Sequence, residues 1–176
     1  MSLKSIFRRA RPIAAANEVY AAIMAQAREP VFFTELGVPD TVDGRFETVA
    51  LHAFLVLRRI KGDPAGAAFG QELFDVMFED MDISLREMGA GDMGVGKRVK
   101  AMVQAFYGRI SSYDAGLSGS GDGLEEALRR NLYGTTDVED EKVAEMEDYV
   151  RRQAAHLEDI PAKRILAADF RFGAVK

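Results

Sequence analysis

Gln71 to Asp114 reads QELFDVMFEDMDISLREMGAGDMGVGKRVKAMVQAFYGRISSYD. In its first half Leu73, Val76, Met77, Met81, Leu85 and Met88 recur at steps of three and four, the spacing of one helix face. Phe74 and Phe78 widen that face. Asp75, Glu79, Asp82 and Arg86 recur on the opposite side and form a solvent stripe. Gly89 follows the last periodic residue, where a left-handed cap needs no side chain, and Asp92 stands where an N-cap would accept the first free amides of a second helix. That helix carries Val95, Val99, Met102, Val103, Phe106, Ile110, Tyr113 and Leu117 on one face. The stretch predicts two helices, 68–88 and 93–117, packed antiparallel across a short glycine-rich elbow.

Charged residues interrupt this pattern. At about 100° per residue, Asp80 falls on the apolar arc between Val76 and Leu73, and Glu87 falls at its edge. Arg109 falls beside Met102 and Tyr113, whereas Lys97 and Lys100 point away. Such residues either snorkel to water at a rim, make a polar contact inside the pair, or face a partner. A buried carboxylate without a partner is costly, so the expectation is a partly buried Asp80 bonded to Arg109, with Arg98 the second choice.

Working outward, Arg45 to Ile60 repeats Phe46, Val49, Ala50, Ala53, Phe54, Leu57 and Ile60 at helical spacing. Ala14 to Arg28 does the same with Val19, Ile23, Met24 and Ala27, and Pro30 stops it. Between them, Phe32, Phe33, Leu36, Val38 and Val42 alternate with turn residues, which predicts a long loop pinned by its apolar side chains. After the Gly/Ser run at 118–123 come a helix from Leu124 that ends near Gly134 and another capped by Asp137 with an acidic start. A helical turn at Ile165–Phe170 leads to a tail. No segment alternates with period two. The prediction is an all-α fold, one domain of six or seven helices around the central antiparallel pair. Residues 1–12 form a basic arm before the helical domain of 13–176. Its Leu3, Ile6 and Phe7 among Lys4, Arg8, Arg9 and Arg11 suit either a frayed terminus or a contact with anionic lipid or a partner.

Composition excludes several chemistries. The chain of 176 residues has net charge −5, which gives no global electrostatic case for nucleic-acid binding. It has no cysteine, and so neither disulfides nor thiolate metal sites. Its two histidines, His52 and His156, lack the Glu-x-x-His spacing of helical di-iron sites, and no metal or cofactor is expected. His52 reads as a core-edge hydrogen bonder rather than a base. Gly91 to Lys97 spells a phosphate loop, but Arg98 stands where Ser or Thr should bind magnesium, and no strand precedes it. No nucleophile elbow is present. No apolar run approaches the roughly 20 residues that span a bilayer, and no signal-peptide core opens the chain, so a cytoplasmic location is expected.

Four segments in order, GRFETVALHAFLVLRRI (44–60), FEDMDISLREMGAGD (78–92), KRVKAMVQAFYGRISSYD (97–114) and LEEALRRNLYG (124–134), resemble the ubiquinol–cytochrome c chaperone family. The absence of a long N-terminal extension makes the chain similar to bacterial members. The resemblance implies an assembly chaperone of the cytochrome bc1 complex, not an enzyme. It would bind newly made cytochrome b or another bc1 assembly component, with peripheral contact at the cytoplasmic face of the inner membrane. It also points to Asp82, Arg86, Glu87, Asp92, Lys97 and Tyr107, which match the family signature near the elbow, as partner-binding residues. The plain alternative is that they cap and solubilise the helix pair. Eight methionines suit adaptable apolar binding. A different class remains open: a helical small-molecule or lipid-binding protein whose cavity is lined by Met77, Met81, Met88, Met102 and Phe106.

Overall fold

The computed structural model describes the backbone of residues 3–87 and 92–176, and side chains for 13–87 and 94–176. Eight helices are present among the described residues: α1 (Leu3–Ala27), α2 (Val31–Thr34), α3 (Val42–Ile60), α4 (Gly66–Glu87), α5 (Asp92–Leu117), α6 (Leu124–Asn131), α7 (Asp140–Glu158) and α8 (Ala162–Leu166). No strand is found among them. The all-α expectation is met. The helix beyond the expected seven is α2, a single turn inside the segment read as a loop. Its Phe32 is fully buried, and Leu36 and Val38 follow it into the core, so the apolar residues do pin this segment.

The most enclosed element is α3. Thirteen of its nineteen residues are buried, on every side of the helix. A helix that is buried all round belongs inside, and Leu51 and Leu55 are buried on the side opposite the face that periodicity assigned to Phe46, Val49 and Phe54. It packs against α1, α4, α5, α7 and α8. It starts at Val42, three residues before the expected Arg45, because Thr41 caps it by accepting the Gly44 amide at 3.1 Å. Gly44 is required there: a Cβ would stand 2.0 Å from the Pro39 carbonyl oxygen.

The α4–α5 hairpin packs on α1, α3 and α6. Phe78 meets Phe106 edge-on at 5.8 Å, and Phe74 lies 6.0 Å from the same ring. These contacts set an antiparallel register roughly symmetric about the elbow. The capping roles expected of Gly89 and the Asp92 side chain lie outside the described residues. Further along, α7 is preceded by Glu139 rather than capped by Asp137. The last helix ends at Leu166, not Phe170, and Ala168 then turns the chain with a positive φ of 57°.

One polar network ties the first helix to the last residues. His52 is fully buried, deeper than the core edge expected for it. Its Nδ1 lies 2.7 Å from the Thr48 carbonyl, which can only accept, so Nδ1 carries the proton. Its Nε2 lies 2.7 Å from the Tyr149 hydroxyl and must therefore accept from it. The same hydroxyl accepts from Gln26 Nε2 at 3.1 Å. Gln26 and Gln153 both donate to the Gly173 carbonyl, and Gln153 Oε1 accepts the Gly173 amide at 2.9 Å. The Phe172 ring then sits edge-on to His52 at 5.3 Å.

Burial holds the His52 imidazole well below its ordinary range, at about 4, against a weaker opposing pull from the Thr48 carbonyl. The unfolded chain thus takes up this proton near pH 6.5 and the folded chain only near 4. Its contribution to stability is complete above about pH 6.5 and is lost as pH falls towards 4. Between pH 7.5 and 5 this group should cost roughly 2 kcal/mol of unfolding free energy. Urea midpoints followed by circular dichroism check it, and His52→Gln should flatten the pH dependence over that interval.

Candidate functional site

Two surface clefts meet at the N-terminal end of α3. One, of about 530 Å³, opens between α1, α3 and α4; Met24, Phe46, Val49, Met81, Leu85 and Met102 form its apolar lining. Tyr20, Arg28, Asp40, Arg45 and Asp80 edge it. The other, of about 400 Å³, lies between α3, α5 and the turn after α6. Arg98, Ala101, Ala105 and Arg109 form its α5 wall, and Arg130, Asn131 and Thr135 stand opposite. Val42, Phe46, Leu85 and Met102 line both, so the two clefts form one furrow across the end of α3. Val42 is half exposed at its lip.

Each side of the furrow contains a charged group drawn into the protein. The Asp80–Arg109 pair predicted from sequence is not formed. Asp80, half-buried, accepts from the Tyr20 hydroxyl at 2.8 Å, across from α1. Arg109 donates from Nε and Nη2 to the two carboxylate oxygens of Glu47. Arg98, the second choice, is exposed. The register of the hairpin explains the difference. Phe74 opposite Phe106 and Tyr107 leaves Asp80 level with the residues near Lys100, about two turns short of Arg109. Each intruding charge instead finds a partner on a third helix.

The Glu47 side chain is only 8 % exposed and that of Arg109 18 %. The guanidinium also lies 5.6 Å over the Phe46 ring. Burial pushes the Glu47 carboxyl above the ordinary carboxylate range, while the Arg109 fork pulls in the opposite direction. Burial likewise pushes the Tyr20 phenol up, reinforced by its bond to Asp80. Sequence reading passed over Glu47. The signal was there: on the helical wheel it falls beside Phe54, the same angular test that singled out Asp80 and Arg109.

None of the residues predicted to bind a partner whose side chains are described lines either cleft. Asp82 and Arg86 form an ion pair along α4, with Nε to Oδ2 at 2.6 Å. Glu87 and Lys97 are exposed at the two ends of the elbow. Tyr107 is 56 % exposed and stacks on Phe74 at 5.6 Å on the outer side of the hairpin. The Asp92 and Met88 side chains lie outside the described residues. Of the proposed cavity-lining residues, Met81 and Met102 reach the furrow, whereas Met77 and Phe106 are buried in the core. Gly94 to Lys97 lie inside α5, so the residues of the phosphate-loop spelling that are described are helix. No helix among the described residues is long and apolar enough to cross a membrane.

These features define a class: helical proteins that present an open apolar furrow. The chain belongs to the ubiquinol–cytochrome C chaperone family, whose model matches residues 34–172. It is similar to the ubiquinol–cytochrome-c reductase complex assembly factor 1 of Xenopus laevis, 27 % identical over 86 % of this chain and 76 % of that one. The Homo sapiens factor of the same name is 26 % identical over 86 % of this chain, which spans 51 % of that protein's length. The crystal structure of the Cbp3 homolog from Brucella abortus superposes with a TM-score of 0.83 at 37 % identity, covering 99 % of this chain and 98 % of that one.

Removing either member of the Glu47–Arg109 pair strands a buried charge, whereas removing both does not. Arg109→Met should cost roughly 3–5 kcal/mol, and the double variant Glu47→Met/Arg109→Met distinctly less. Chemical denaturation of the three proteins checks this, and equal losses for the single and double variants would contradict it.

Proposed function

We propose that the protein is an assembly chaperone for ubiquinol–cytochrome c reductase, which binds newly made cytochrome b and performs no reaction on it. The observation that carries this reading is the furrow itself. It is open, apolar along its floor, and lined by Met24, Met81 and Met102. Methionine side chains adapt to irregular apolar partners, as a chaperone of a membrane-destined chain requires. The names of the relatives support the reductase as the complex served. Its titratable core groups serve structure: His52 is sealed in the core, and Glu47 is held by Arg109.

The elbow flanks belong to the same reading. In it, Asp82, Arg86, Glu87, Asp92, Lys97 and Tyr107 form a second contact area, apart from the furrow, for cytochrome b or another assembly component. The client is a membrane protein, so the chaperone works at the cytoplasmic face of the inner membrane as a peripheral protein.

A strain lacking the protein and grown by respiration should lose most assembled reductase while keeping other respiratory complexes, as read on native gels with activity staining. Normal reductase in that strain would overturn the reading. Reversing the elbow charges with Arg86→Glu and Lys97→Glu should weaken co-purification of cytochrome b several-fold without lowering the melting temperature of the chaperone. Unchanged recovery would leave these residues with a solubilising role alone.

A further inference from the structure

The furrow is not electrically uniform. Between Asp92 and Asp114 the chain carries Lys97, Arg98, Lys100 and Arg109 and no acidic residue, although its net charge is −5. The Arg109 charge is taken up by Glu47. Arg98, on the α5 wall, makes no ion pair among the described residues. Among the described residues Arg130, facing it from the end of α6, reaches only Asp122 at 3.4 Å, and the guanidinium is half exposed and the carboxylate largely so. Two guanidiniums with little neutralisation therefore flank an apolar floor of Phe46, Leu85 and Met102. Asp43 stands on the α3 wall, so the charge preference runs across the groove from α3 to the α5–α6 side.

The wall between the arginines is low. Ala101 and Ala105 present only methyl groups, which lets the backbone of an occupant come close to α5. A membrane surface cannot follow this concavity; a helix or extended segment of a partner can. We propose that the furrow docks an amphipathic segment of the client that carries an acidic face. Its apolar face lies on Phe46, Leu85 and Met102, and its acidic side chains meet Arg98 and Arg130. This rests on the assembly-chaperone reading and adds to it the chemistry of the recognised segment.

The test uses the full chain and two fluorescein-labelled helical peptides with the same Leu/Ala face, one with Glu and one with Lys on the polar face. The Glu peptide should bind about tenfold more tightly than the Lys peptide, and Arg98→Glu/Arg130→Glu should reverse that order. Arg98→Lys/Arg130→Lys, which keeps the charge, should retain it. Equal binding of the two peptides, an unaltered preference in the charge-reversed variant, or displacement of the Glu peptide by phosphatidylglycerol vesicles would each overturn the proposal; the last would assign the site to lipid. The charge-reversed variant is also expressed in the deletion strain beside the wild type. If the wild type restores reductase and the variant does not, the proposal is supported. If both restore it, the acidic-segment proposal fails while the chaperone reading stands. If the deletion strain already has normal reductase, the chaperone reading itself fails.

Discussion

A helix enclosed over most of its length imposes a condition on everything around it: each polar residue it buries calls for a partner inside the protein. In α3 the buried polar residues are Glu47, Thr48 and His52. Thr48 returns its hydroxyl to the Arg45 carbonyl of its own helix at 2.8 Å. Glu47 recruits Arg109 from α5, and His52 recruits Tyr149 from α7. The two outward connections leave α3 in different directions. They tie two of its neighbours to it by directional bonds, where apolar contact alone would let the helices slide.

That condition also shapes the binding surface. The N-terminal end of α3 is where the enclosing helices part, and the furrow occupies the gap. Its apolar floor is the outer layer of the core, so Phe46 at once touches Arg109, packs with the interior and faces the opening. A surface made this way is stiff below and adaptable above, where Met24, Met81 and Met102 line it.

The elements were legible in the sequence because each long segment carries a strong helical period. The hairpin at Gln71–Asp114 could be read with its direction, since two helices joined by a few residues have little choice but to fold back. Family membership was legible too, from four matching segments in order. What was not legible was which helix lies across from which. Asp80 and Arg109 were correctly singled out as charges on apolar arcs, but their partners, Tyr20 and Glu47, lie on other helices sixty and sixty-two residues away. Periodicity reports the face of a helix and says nothing of the element that covers it. It also assigns one apolar face where α3 has two, because Thr48 and His52 read as the edge of the core until their hydrogen bonds are seen.

The Gln153 carboxamide, which pairs with both the amide and the carbonyl of Gly173, bears on the order of folding. It stands in for a neighbouring strand and anchors a segment that has no regular structure of its own. Gln26 binds the same carbonyl from 147 residues away. Closing so long a loop costs chain entropy that no local contact offsets, so this network forms late, after the helices have assembled. During synthesis on the ribosome, α1 waits until Gly173 has emerged before its last hydrogen bonds can be made. A nascent chain that lacks residues 167–176 still has His52 paired with Tyr149, but with that side of the core open to water.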